Sequence, residues 1–137
     1  MTQVIIFTND NGGVSTCIPT GEISIEAVLA KDCPKGAIIV DTATLPQGDG
    51  AHFYDCWELA DGVVTVNLDK AKELTKKRLR AERTPLLAAQ DVLFQRALES
   101  GADTTAIVAE KQRLRDVTGL VDAETTLEGL RAIKAGV

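Results

Sequence analysis

The chain has 137 residues, 45% of them hydrophobic but only 4% aromatic. One domain, or a small domain with a helical extension, would therefore close over a core of Val, Ile, Leu and Ala. A net charge of -5 argues against a dedicated nucleic-acid binder, which usually carries a basic excess.

Three cysteines, Cys17, Cys33 and Cys56, are too few and too widely spaced for a disulfide framework; they predict buried free thiols in a reducing compartment. No apolar run approaches the length of a membrane span. The start, Met1-Thr2-Gln3-Val4, has no basic n-region and predicts no signal peptide. A soluble protein made in the cytoplasm is expected.

Charge divides the chain. Residues 1–66 carry nine acids and two lysines, and residues 67–137 carry eleven acids and thirteen bases. Patterning changes at the same place, from Val, Ile, Thr and Gly to Ala, Leu, Glu, Lys and Arg. The predicted class is α+β: a small N-terminal sheet with one short helix over 1–66, then a helical region over 67–137.

Val4 to Thr8 is a β-branched run ending in the turn signal Asn9-Asp10-Asn11-Gly12-Gly13. Val14 to Ile18 then alternates, so a hairpin is predicted. Ser24 caps a short helix from Ile25 to Lys31, which Pro34 and Gly36 stop. Ala37 to Val40 reads as a buried strand. Leu45 to Gly50 reads as a loop. Tyr54 to Leu59 and Val63 to Leu68 flank Ala60-Asp61-Gly62 as a second hairpin.

Leu68 to Glu82 has no Gly or Pro and many helix formers. Thr84-Pro85 predicts a new or kinked helix, with Thr84 capping and Pro85 in the first position, ending at Gly101. Leu79, Leu86 and Leu93 lie seven apart, as do Leu87 and Phe94, a seam for a neighbouring helix or a second copy of the chain. Asp103 or Thr104 caps the next helix, which carries Ile107, Val108, Leu114 and Val117 and ends near Gly119. Thr125 to Glu128 has capping-box spacing and opens a short last helix with Leu127, Leu130 and Ile133.

The residues needed for catalysis are sparse. His52 is the one histidine, and a metal site would have to be built from it and Cys56, four residues on, across glycines and aromatics that disfavour a helix. Asp55 and Glu58 form no supported acid pair. Asn11-Gly12-Gly13 lacks the Lys-Ser/Thr of a phosphate loop, and a hairpin turn explains it. No nucleophile motif surrounds His52. The expectation is a non-enzymatic protein without cofactor or metal.

Lys70, Lys72, Lys76, Lys77, Arg78, Arg80 and Arg83 form the strongest electrostatic feature. They spread around a helix and leave Ala71, Leu74 and Leu79 for contact. Such a helix could follow a phosphate backbone, as a regulatory or host-interacting protein would use it. It could equally be solvated or meet an acidic surface. No aromatic is interleaved for base stacking.

Arg83-Thr84-Pro85-Leu86-Leu87, then Asp91-Val92, then Glu110-Lys111-Gln112-Arg113-Leu114-Arg115-Asp116 follow one another in this order. Together with Trp57-Glu58-Leu59, Asp61-Gly62 and Val63-Val64 ahead of Asp69-Lys70-Ala71, this resembles small tail and tail-fibre assembly proteins of tailed bacteriophages, over about residues 57–118. Their pattern is Arg-x-x-Leu-Leu, an Asp often followed by Trp, and Tyr-Arg-Gln-x-Leu-Arg-Asp. This chain departs from it with Val92 in place of Trp and Glu110-Lys111 in place of Tyr-Arg.

The resemblance implies a tail-associated role, in assembly or as a small connecting part. Its partner would be a phage structural protein, its contacts would centre on residues 79–118, and it would reside in the host cytoplasm during assembly or in the virion tail. The residues it points to are Leu79, Arg83, Leu86, Leu87, Asp91, Phe94, Gln112, Leu114, Arg115 and Asp116. A self-contained hairpin, with Arg115 paired to Asp91, accounts for the same residues.

Overall fold

The computed structural model describes residues 2–136. The chain is α+β and divides into two compact units, residues 1–68 and 69–137.

In the first unit, β1 (Gln3–Thr8) is the central strand of a three-stranded antiparallel sheet ordered β2-β1-β3, with β2 at Val14–Cys17 and β3 at Ile38–Asp41. The β1–β2 turn is held by Asn9. Its side-chain oxygen accepts from the Asn11 and Gly13 amides at 3.0 Å each, the local bonding that makes Asn a turn residue. Between β2 and β3 runs α1 (Ile25–Asp32). Ser24 caps it, its hydroxyl accepting from the Ala27 amide at 3.2 Å, and Glu26 and Lys31 sit at the ends that suit their charges.

The segment up to the second hairpin is more helical than its glycines suggest. Asp49–His52 forms a one-turn helix, α2, and Tyr54–Cys56 a 3₁₀ turn. The second hairpin therefore begins at Trp57 rather than Tyr54. Its strands, β4 (Trp57–Ala60) and β5 (Val63–Val66), form a separate two-stranded sheet instead of joining the first. Asp61 and Gly62 both have positive φ, 51° and 78°, the backbone that a two-residue type I′ turn requires.

The two sheets share a core of Val4, Ile6, Trp57 and Val64, with Val14, Ile38 and Val40 packed against it. The Trp57 indole donates to the Gly50 carbonyl at 2.9 Å, which satisfies its one polar atom.

The second unit is organised on α3 (Leu68–Ser100), a single 33-residue helix about 50 Å long at the usual rise per residue. The expected restart at Thr84-Pro85 does not occur. Pro85 lies inside the helix, where it cannot bond the Ala81 carbonyl. Both residues are exposed, so water can serve that carbonyl, and the Thr84 hydroxyl donates to the preceding one, Arg80, at 2.8 Å.

Then come α4 (Thr105–Asp116), the single turn α5 (Gly119–Asp122) and α6 (Leu127–Ala132). The helix expected to end near Gly119 stops at Asp116, and α5 is a separate turn that begins at Gly119. Thr104 stands at the N-cap of α4 without a side-chain cap, and Asp103 instead accepts from the Thr105 amide at 3.0 Å. The cap of α6 is Thr126, one residue beyond the expected Thr125; its hydroxyl accepts from the Gly129 amide at 3.0 Å. Ile133 falls just past the helix as its C-cap.

Gly129 has a steric role. A Cβ there would lie 2.1 Å from the Glu124 carboxyl carbon. That carboxylate accepts from the Thr125 and Thr126 amides at 3.0 and 3.1 Å, bonds that hold it below its ordinary pKa, the Thr126 amide foremost. Gly129→Ala would gain at most about 1 kcal/mol of helix propensity. It would displace Glu124 from those bonds and leave the Thr125 and Thr126 amides without that cap. A lower midpoint in denaturant titration is expected; a higher one would show that the Glu124 cap is dispensable.

Candidate functional site

The residues singled out by the sequence lie on α3 and α4. The buried stripe of α3 runs through Ala71, Thr75, Leu79 and Ala97, with Leu86, Gln90 and Phe94 half-buried between them. Thr75, Leu86 and Ala97 are eleven apart, as are Leu79 and Gln90, the period of a nearly straight helix. A strict seven-residue repeat drifts about 20° per heptad around such a helix. That drift carries Leu93 off the seam: it is 45% exposed, whereas Leu79 is fully buried. The expected seam holds for Leu79 and Leu86 and fails at Leu93, while Leu87 and Phe94 are half-buried.

On α4, Leu114 is the buried residue. Lys111 binds the hairpin from the side. Its ammonium lies 2.7 Å from the Asp91 carboxylate and 5.1 Å from the centroid of the Phe94 ring. The expected partner of Asp91, Arg115, is not the one used. The reason is helical phase: Lys111 stands one turn before Arg115, on the turn that meets α3 at Asp91 and Phe94. Arg83 instead reaches the backbone of Arg115, donating to its carbonyl at 2.9 Å. The Arg115 guanidinium is exposed and meets no partner among the described residues. Gln112 donates to both Asp116 carboxylate oxygens at 3.0 Å, on the solvent side of α4.

Of the three positions noted above as departures, Val92 is exposed, while Glu110 and Lys111 are both engaged. Lys111 holds Asp91, and Glu110 receives two bonds from Arg113 at 2.9 and 2.6 Å, which lower the Glu110 pKa and raise that of Arg113. Arg113 also donates to the Ala135 carbonyl at 3.0 Å.

The basic run is largely consumed within the unit. Lys76 pairs with Asp122 at 2.7 Å; that bond raises the lysine pKa and lowers the aspartate's. Lys72 donates to the Asp122 carbonyl at 3.4 Å. Arg78 donates to the Leu130 and Ile133 carbonyls at 3.2 and 2.6 Å and pairs with Glu82. Glu82 also accepts from the Ala135 amide at 3.1 Å, and these bonds, Arg78 first, lower its pKa. A cavity of about 460 Å³ opens beside them, lined by Arg78, Glu82, Leu86, Lys134 and Gly136. Lys77 and Arg80 project into solvent without a partner among the described residues.

Sequence reasoning missed Arg78 and Glu82 as organisers of the C-terminal segment. Their (i, i+4) spacing was the available signal, but it marks a local pair and says nothing of the distant carbonyls.

His52 ends α2 and packs edge-on against Phe53, with ring centroids 5.0 Å apart. Cys56 is buried at the end of the 3₁₀ turn. Among the described residues no group of three His, Cys, Asp or Glu side chains could hold a metal ion, and no helix is long and apolar enough to cross a membrane. No protein-family model, curated protein or solved structure matches the chain.

Proposed function

We propose that this chain is a non-enzymatic, tail-associated protein of a tailed bacteriophage, acting in tail or fibre assembly or as a small connecting part of the tail. The observation that carries this reading is the meeting of the pattern residues. Asp91 of the first segment pairs with Lys111, which stands where the family has Arg, and Arg83 bonds the backbone at Arg115. Residues that fold the hairpin are thereby separated from residues left for a partner. Leu79 and Leu114 are buried, and Asp91 and Lys111 pair across the hairpin. Arg115, Gln112 and Asp116 face solvent, and Arg115 offers a planar fork for a partner carboxylate or backbone.

A nucleic-acid role for the basic helix has less to draw on. Lys72, Lys76, Arg78 and Arg83 are already bonded within the unit.

The test is affinity capture of the tagged chain from phage-producing cells, with quantitative mass spectrometry of lysate and purified particles. Capture of a tail or fibre protein, weakened at least tenfold by Arg115→Ala with the helical content unchanged, is the expected result. Retention on DNA with a steep loss between low and moderate salt, without a phage structural protein, overturns it.

A further inference from the structure

The three-stranded sheet ends at β2, whose four residues pair with β1 on one side only. An outer strand turns half of its amides and carbonyls away from its neighbour. Among the described residues, no backbone bond from outside the sheet reaches Val14, Ser15, Thr16 or Cys17. Sheets commonly guard such edges with charges or proline. Strand β2 has neither, whereas the opposite outer strand, β3, ends in Asp41. Beside the β2 edge lies an apolar groove. Register sets Thr16 opposite Ile6, so Val14 and Thr16 stand on the core face of the sheet. Val14, Thr16, Ile18, Leu45, Tyr54 and Trp57 are among the residues lining a cavity of about 330 Å³ there. Trp57 is buried, but Ile18 is 74% and Tyr54 63% exposed.

Charge identifies the kind of occupant. Residues 1–30 and 36–66 hold eight acids and no lysine or arginine. Asp10, in the β1–β2 turn, and Asp55, next to Tyr54, are both exposed. Two copies of such a surface repel each other, and a cationic segment is attracted.

We propose that the open edge of β2, with the groove beside it, binds an extended segment of another protein that alternates apolar with polar residues and is flanked by Lys or Arg. The mode is strand addition, in which main-chain bonds supply affinity and the groove selects side chains. A strand added to β2 runs about 4.8 Å from it and turns every second side chain onto the face that carries Val14 and Thr16, over the groove. One occupant thus satisfies the open backbone and covers Ile18 and Tyr54. The surface lies wholly within the first unit and does not rest on the tail reading, which draws on α3 and α4.

The test probes the full chain with an immobilised array of short peptides that alternate Thr with Val, Ile, Leu or Phe and carry Lys or Glu at both ends. Lys-flanked members should bind about tenfold or more tightly than Glu-flanked ones. They should exceed by as much the same peptides with proline at the centre, where a ladder bond is lost. In solution the best binder should slow hydrogen exchange at the amides of Val14–Cys17. Ile18→Lys and Tyr54→Ala, both at exposed side chains, should each weaken binding by about tenfold at an unchanged unfolding midpoint. No member binding above the proline controls, or protection elsewhere with β2 unchanged, would overturn the proposal. So would a concentration-dependent dimer that Ile18→Lys abolishes, which would give the edge to a second copy of the chain.

Discussion

Leu114→Ala will destabilise the helical unit by about 3 kcal/mol, within the range of roughly 2–5 kcal/mol for truncating a buried leucine. Leu114 is 1% exposed and is the buried residue of α4. The polar contacts that accompany it are weaker. An ion pair with one exposed partner, such as Lys111 with the exposed Asp91, contributes about 0–1 kcal/mol, and a partly exposed cation over an aromatic ring about 0.5–1 kcal/mol. The hairpin therefore depends on Leu114 more than on its charges.

The control is Leu93→Ala, at the position where a seven-residue seam would also bury a leucine. With 45% of its surface exposed, its loss should cost at most about 1 kcal/mol, nearer to a surface change than to a core deletion. Urea titration followed by helical circular dichroism compares the two. Equal costs would mean that the hairpin packs in the seven-residue register and that the stripe through Gln90 and Ala97 is misplaced.

The same pair marks how far the sequence can be read. Features decided by chain neighbours were legible: the Asn9 turn, the Ser24 cap and the Asp61-Gly62 turn. Each depends on backbone conformations that only a few residues tolerate. Features decided by distant partners were not. Lys111 and Arg115 lie on adjacent turns of α4, and only the rotation of that helix against α3 selects which one meets Asp91. Thr125 and Thr126 are equivalent caps by residue type, and the space made by Gly129 for Glu124 favours the second.

The candidate residues fall on two helices, as the sequence implied, but several that were expected to meet a partner are engaged within the chain. Leu79 and Leu114 are core, and Asp91 is bound to Lys111. Arg115, read either as a contact for a partner or as the intramolecular partner of Asp91, is left in solvent. Burial therefore divides the pattern into a part that builds the hairpin and a smaller part left to act.

Pro85→Ala is expected to stabilise the helical unit, an unusual direction for a point substitution. A proline inside a helix costs about 3 kcal/mol relative to alanine, and releasing the unfolded chain from the proline ring gives back about 0.4–1 kcal/mol of that gain. Pro85 is exposed, so no packing is lost and the net gain should be about 2 kcal/mol. For a unit of this size that is a rise in Tm of roughly 8–16 °C. Thermal unfolding of both chains measures it. A fall in Tm would mean that Pro85 opens a new helix, as the dipeptide Thr84-Pro85 suggests locally, and that the single 33-residue helix is wrong at that point. A rise in Tm joined to loss of the captured tail protein would carry a different meaning. The missing hydrogen bond at Ala81 would then be serving the partner, with the helix retaining a weak point beside Arg83 at a cost of about 2 kcal/mol in its own stability.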